Sequence, residues 1–122
     1  MTHKNSAVSV DSDAQDIVLS FIKALNDERF EDARTFASDS MTFHGVLGSR
    51  NGAEEYFGDM KKMKMKYRIK KTFADEDDVC LFYDFTMGDI TTFGCGWYHL
   101  EDGKISSLKV IFDPRPFLHP KA

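Results

Sequence analysis

The hydrophobic pattern of this chain changes its period near the middle, and this change limits the possible folds more than any other feature. Before residue 64, apolar residues recur every three or four positions, as on one face of an amphipathic helix. From Met65 onwards they alternate with polar residues, as in strands that bury one side. The pattern predicts an α+β domain, because helical stripes must be buried against the antiparallel sheet that follows them.

Three helices are predicted in the first half. The first begins at Ser12, because Ser12 and Gln15 have the spacing of a capping box. The second is shorter and ends near residue 39. The third follows the turn-rich residues 48–52, with Asn51 as its expected N-cap.

One strand is predicted between the second and third helices, and four strands follow in the second half. The five strands are expected at residues 41–46, 65–73, 79–87, 92–100 and 105–112. The strand at 65–73 is expected to carry one apolar face: Met65, Tyr67, Ile69 and Phe73. Pro114 should end the last strand, because proline cannot donate to a β-ladder. The predicted order is α-α-β-α-β-β-β-β.

Composition predicts a single globular domain. The chain has 122 residues, and we expect a flexible arm at residues 1–13 and one domain at residues 14–118. Its formal net charge of −4 disfavours binding to nucleic acids or anionic membranes. No stretch reaches the roughly 18 apolar residues of a membrane span, and we expect no secretory signal. Cys80 and Cys95 are expected as buried thiols in a reducing compartment, which favours a cytoplasmic protein.

Three local segments carry a family resemblance. The first is residues 21–26 (FIKALN), followed by an aspartate and a second short helix. The second is residues 42–45 (TFHG), before a glycine turn and a third helix. The third is residues 100–105 (LEDGKI), continuing to Pro114. The chain resembles nuclear transport factor 2-like proteins, in the SnoaL-like branch with polyketide cyclases, ketosteroid isomerase and limonene epoxide hydrolase. The resemblance implies a cone-shaped, curved, mixed sheet wrapped by three helices. It does not imply one function, since this fold hosts enzymes and binders.

The strand at residues 92–100 carries two glycines on one face. Gly94 and Gly96 lie there with Tyr98, and because glycine adds no side chain, the two predict a hollow. The alternative is that the glycines mark a bend or bulge and that Phe fills the interior. The resemblance places this face inside the cone. The predicted pocket lining also includes the following residues: Phe21, Phe36, Phe43, Phe57, Tyr67, Tyr83, Leu108, Val110 and Phe112.

The proton-transfer groups of two related enzymes are missing here. The resemblance places the general base of the isomerase at Gly45, its tyrosine donor at Phe21 and its second oxyanion donor near Gly96. The carboxylates of the epoxide hydrolase fall at Gly96 and Val110. We therefore do not expect either of those two chemistries.

Three residues remain as catalytic candidates: His44, Asp113 and Tyr98. His44 lies next to the missing base and belongs to the residue type that titrates near neutral pH, although alternation could equally turn it outwards. Asp113 ends the last strand, where the resemblance to SnoaL-like cyclases implies an acid/base, but it could instead pair with Arg115 or form a turn. Tyr98 could donate a hydrogen bond to a ligand or simply pack in the core.

The sequence therefore favours a pocket protein for a small, mostly apolar or cyclic molecule. If it is an enzyme, the resemblance implies cofactor-independent proton transfer, such as cyclisation, isomerisation or dehydration. The alternative is a non-catalytic binding or association module. We expect neither a metal nor a cofactor, because no metal-ligand set or phosphate-binding loop is recognised. The outer side of the sheet would carry Phe82, Phe93, Cys95 and Trp97, and such a surface needs a cover, so we expect a homodimer.

Overall fold

The computed structural model of the protein describes residues 4–118. Its helices are α1 (Lys4–Asn26), α2 (Phe30–Arg34), α3 (Ala53–Met63) and α4 (Arg115–Leu118). Its strands are β1 (Ala37–Gly45), β2 (Gly48–Asn51), β3 (Lys66–Asp75), β4 (Asp78–Met87), β5 (Ile90–Glu101) and β6 (Lys104–Phe112). Within the described residues, no helix combines the length and the hydropathy that crossing a membrane requires.

The six strands form one mixed sheet in the order β2-β1-β6-β5-β4-β3. β1 and β6 are parallel, and every other neighbouring pair is antiparallel. α1 packs on β3 and α3 packs on β1, so the helices cover one side of the sheet, which we call the inner face. Buried residues such as Phe21, Met41, Leu81 and Ile105 form the core between the helices and this face. The predicted α+β architecture is confirmed.

The first helix begins earlier than its capping pattern indicates. α1 starts at Lys4, so the predicted start at Ser12 is wrong. Residues 4–11 contain neither proline nor glycine, and nothing in their backbone opposes an earlier start. Residues 4–13 of the predicted arm therefore belong to α1, and residues 1–3 lie outside the described residues.

The sequence-based predictions for the segment around β1 and β2 are also wrong. β1 begins at Ala37, where the second helix was expected to continue, and residues 48–51 form a strand rather than a turn. Pairing with β1 holds Asn51 in β2, opposite Thr42. The N-cap of α3 is therefore Gly52, whose φ of 93° suits glycine. Asn51 instead donates its backbone N–H to Oε1 of Glu55 at 3.1 Å.

A β-bulge in β3 moves its second half onto the other face. The register against β4 shifts between Ile69 and Lys71. Tyr67 and Ile69 pack against the core, but Phe73 lies on the opposite side and is 58% exposed. Strict alternation along the strand predicts that Tyr67, Ile69 and Phe73 share one face. The extra residue of a bulge turns every later side chain to the other side, so that prediction is wrong for Phe73.

Candidate functional site

A cavity of about 200 Å³ lies between the inner face and α3. Aromatic and methionine side chains from several elements form most of its wall, among them Phe43, Phe85, Met60, Met63 and Met65. Protein interiors contain few voids larger than a water molecule. An apolar cavity of about 150 Å³ is enough to admit benzene. The cavity is therefore large enough for a molecule with one ring.

All four tyrosines of the chain line this cavity, and each comes from a different element. They are Tyr56 of α3, Tyr67 of β3, Tyr83 of β4 and Tyr98 of β5. The rings of Tyr67 and Tyr83 meet edge to face, with centroids 5.0 Å apart. Burial raises the pKa of all four phenols above the usual range. Each hydroxyl is therefore neutral at physiological pH and can donate a hydrogen bond.

Aromatic side chains occupy the space in which the glycines of β5 predicted a hollow. A Cβ atom at Gly96 would lie 2.9 Å from Cε1 of Tyr98 and 3.0 Å from the hydroxyl oxygen of Tyr83. At Gly94 it would lie 3.1 Å from the carbonyl oxygen of Ile111 and from Cβ of Phe112. Neither glycine lines the cavity. Gly96 is small because the two tyrosine side chains lie over it, and Gly94 is small because β6 lies close beside it. The hollow prediction is therefore corrected in favour of a filled interior at this point.

The structure brings together seven of the residues predicted for the site. Around the cavity lie Phe43, Tyr67, Tyr83, Tyr98, Leu108, Val110 and Phe112. Phe21 and Phe57 instead pack edge to face in the core, with centroids 6.1 Å apart, and Phe36 lies against that core. These three do not line the cavity.

The cavity wall includes residues that sequence reasoning missed. Met60, Met63, Met65 and Met87 line it, as does Phe117. Phe117 stacks on Phe85, with centroids 5.9 Å apart and planes 7° from parallel. In the sequence, Pro114 predicts only that the last strand ends. The segment after the proline forms α4 and packs on the cavity through the contact of Phe117 with Phe85, and no local sequence pattern indicates this contact.

Two of the three catalytic candidates lie away from the cavity. His44 is exposed on β1, with Nδ1 3.1 Å from Oγ of Ser49. Asp113 forms a two-pronged ion pair with Arg115, whose Nη2 lies 2.7 Å from Oδ2. The guanidinium lowers the pKa of Asp113 to about 2, so its carboxyl is ionised at neutral pH and cannot supply a proton. Tyr98 is the one candidate that reaches the cavity.

In the part of the chain that the structure describes, Arg50 and Asp59 are the charged residues of the cavity lining. Nε of Arg50 donates to Oδ2 of Asp59 at 2.6 Å, and both side chains remain partly exposed. The sequence does not indicate this pair, because Arg50 lies in β2, a strand that was not predicted, and Asp59 lies in α3. The charges of the lining are thus paired with each other.

The opposite side of the sheet, the outer face, is apolar and exposed. We call its central part the outer patch: Phe73, Phe82, Phe93, Cys95, Trp97 and Ile111. Phe93 is 55% exposed and Ile111 is 70% exposed. Phe82 stacks on Phe93 with centroids 6.2 Å apart. Cys80 and Cys95 were expected to be buried, but both are half-buried on this face, with their Sγ atoms 3.7 Å apart. They lie there because they alternate with the core residues of β4 and β5.

Two polar residues, Asp78 and His99, border the outer patch. Oδ1 of Asp78 accepts a hydrogen bond from Nε1 of Trp97 at 2.8 Å and lies 2.9 Å from Nδ1 of His99. Hydrogen bonding to Asp78 raises the pKa of His99. Within residues 4–118, no cluster of three or more His, Cys, Asp or Glu side chains is arranged to hold a metal ion.

Comparisons with known proteins give the following similarities. Residues 18–108 match the family model of the SnoaL-like domain. The chain is 48% identical to an NTF2-like protein of unknown function from Cytophaga hutchinsonii, over 87% of this chain and 95% of that one, with a TM-score of 0.86. An LEH-like epoxide hydrolase from M. tuberculosis is 20% identical over 84% of each chain, with a TM-score of 0.76.

A de novo designed protein with a curved β-sheet also shares the fold. It is 14% identical over 86% of this chain and 88% of that one, with a TM-score of 0.74. The similarity to the hydrolase and to the designed protein shows the fold alone. No curated protein matches the chain.

Proposed function

This chain belongs to the SnoaL-like domain family, and we propose that it binds a small, mostly apolar molecule in the cavity lined by its four tyrosines. The observation that carries the proposal is the cavity itself, a partly open pocket of about 200 Å³ with a mostly apolar lining. Ligand pockets combine apolar walls with a few polar groups. Here the phenol hydroxyls supply those groups.

We propose binding rather than proton-transfer catalysis as the primary role. His44 and Asp113 lie outside the cavity lining. Asp59 is the carboxylate of that lining, but it is ion-paired with Arg50. A general base must reach the proton that it removes, and Oδ2 of Asp59 already accepts a hydrogen bond from Nε of Arg50. The tyrosine hydroxyls can orient a ligand without reacting with it.

Blocking the cavity tests the proposal. Val110 lines the cavity, whereas its neighbour Ile111 points to the outer face. We expect acetophenone or ethylbenzene to bind the wild type and Ile111→Phe, and to bind Val110→Phe more weakly, because the larger ring takes up part of the cavity. Saturation-transfer NMR measures binding, and circular dichroism checks folding. Should Val110→Phe fail to fold, Met63→Phe at the cavity wall replaces it. Equal binding in all folded variants would exclude the cavity as the site.

We also propose that the outer patch is the interface of a homodimer. Four of its side chains are about half exposed or more: Phe73, Phe93, Trp97 and Ile111. Apolar patches of this kind on a sheet face usually mark an interaction site. Nζ of Lys109 lies 4.9 Å from the centre of the Trp97 ring and borders the patch. A two-fold dimer buries the same surface on both copies, so a second copy is a matching partner.

Light scattering tests the dimer. We expect a dimer at micromolar concentration for the wild type and a monomer for Phe93→Glu, since each dimer would then bury two carboxylates. The matched control is Val46→Glu, at an exposed apolar position outside the outer patch. The control should remain dimeric. A wild type that is monomeric at this concentration would contradict the proposal.

A further inference from the structure

The size of the cavity limits its ligand. A volume of about 200 Å³ exceeds the roughly 150 Å³ that admits benzene, so one ring with a short substituent has room. The rings of Phe43, Phe85 and Phe112 offer flat apolar surfaces. Met60 and Met63 can adjust around a substituent because methionine side chains are flexible. The walls therefore fit one ring with a short substituent.

The phenol hydroxyls of the cavity are neutral groups that can donate a hydrogen bond to a ligand. The hydroxyl oxygens of Tyr83 and Tyr98 lie 3.0 and 3.2 Å from the same point above Gly96 and interact with each other. Among the described residues, the hydroxyls of Tyr56 and Tyr67 have no protein partner, and neither is sealed away from accessible space. Tyrosine hydroxyls that are buried usually have a hydrogen-bond partner. These two are therefore available to an acceptor atom of a ligand.

The cavity does not suit an anion. Among residues 4–118, its one cationic side chain is Arg50, which is already paired with Asp59. Burial raises the pKa of every tyrosine around the cavity, which means that the surroundings disfavour negative charge. A carboxylate ligand would lose its hydration without gaining a free cation. A neutral acceptor, such as a carbonyl oxygen, avoids that cost.

We infer that the ligand is a neutral, single-ring compound with at least one carbonyl-type acceptor oxygen, held by the hydroxyls of Tyr56 and Tyr67. This inference rests on the proposed binding function and specifies its ligand class. If the inference holds, the cavity selects its ligand by hydrogen bonding as well as by apolar contact. The acceptor oxygen would lie between α3 and β3, and the ring would lie against the phenylalanines.

Three probes of similar size test the inference at pH 7.5: acetophenone, ethylbenzene and benzoate. We expect Tyr56→Phe or Tyr67→Phe to weaken acetophenone binding by about 2- to 10-fold, the loss of one hydrogen bond, and the double variant to weaken it further. The same variants should leave ethylbenzene binding unchanged or tighter, because they remove only a hydroxyl. Dissociation constants come from NMR titration. Ethylbenzene thus serves as the matched control for any general change in packing.

The outcomes separate the two proposals. If acetophenone and ethylbenzene bind the wild type and no tyrosine variant distinguishes them, the ligand class is wrong while the binding cavity stands. If neither compound binds the wild type, the proposed function fails as well. Benzoate that binds as tightly as acetophenone would overturn the requirement for a neutral ligand. We expect benzoate to bind at least about 10-fold more weakly.

Discussion

Replacing Gly96 with alanine tests whether Tyr83 and Tyr98 close over the middle of β5. The added Cβ would lie 2.9 Å from Cε1 of Tyr98 and 3.0 Å from the hydroxyl oxygen of Tyr83, closer than ordinary van der Waals contact. The ring of Tyr98 cannot simply swing away, since it is buried and Phe21 packs against it with centroids 6.2 Å apart. The strand or the rings must therefore shift.

The expected destabilisation follows from two opposing effects. Overpacking a core costs about 1–3 kcal/mol. Replacing glycine with alanine returns about 0.5–1 kcal/mol, because the unfolded chain loses less freedom on folding. We therefore expect Gly96→Ala to lower the free energy of unfolding by about 1–2 kcal/mol. For a chain of this length, that corresponds to a fall in Tm of about 4–8 °C.

Urea unfolding at 25 °C and a thermal melt followed by circular dichroism measure this change. The control is Gly58→Ala on the exposed side of α3, where a Cβ would meet no atom within 4 Å. Because alanine is the better helix former, the control should be more stable than the wild type by up to about 1 kcal/mol. A Gly96→Ala variant as stable as the wild type would refute the close approach of the two rings.

Two further predictions concern ionisation on the outer face. Hydrogen bonding to Asp78 raises the pKa of His99, so the pair adds stability below the unfolded pKa near 6.5, and this is lost as pH rises through the folded pKa. Because both side chains are more than a third exposed, we expect only about 0.3 kcal/mol. In an NMR titration, Asp78→Asn should lower the pKa of His99, and an unchanged value would contradict the pairing. Burial raises the pKa of Cys95 to about 11, so its alkylation by iodoacetamide, followed by peptide mass spectrometry, should keep rising with pH beyond 9. A plateau near pH 9 would show a thiol with an ordinary pKa.

Local sequence cues determined most of the element order. The strands of the second half follow the period-2 pattern closely, and β6 ends at Phe112, before the proline that was expected to stop it. Turn-rich residues separate those strands where the pattern breaks. These features depend on neighbours in the chain, which is why the sequence alone carries them. The sequence did not predict the early start of α1, because a capping pattern indicates where a helix can begin and not where it must begin.

The direction in which His44 faces shows what local patterns could not determine. β1 lies parallel to β6, with Phe43 opposite Leu108 and His44 opposite Lys109. Leu108 is buried at the cavity, so Phe43 shares its side and His44 turns away. A strand of alternating residues has two faces, and only its long-range pairing decides which one meets the core. The sequence therefore left His44 open, and the sheet placed it outside.

By itself, the sequence determined that this chain forms an α+β domain with an aromatic interior and that Tyr98 lies within it. Only the tertiary structure decided where that interior stays open. A bulge in β3 turns Phe73 outwards, and rings crossing Gly96 fill the space that the glycines had suggested was empty. Four tyrosines from four separate elements meet around the cavity instead. Such a meeting depends on contacts between residues far apart in the chain, and no periodicity within one segment encodes it.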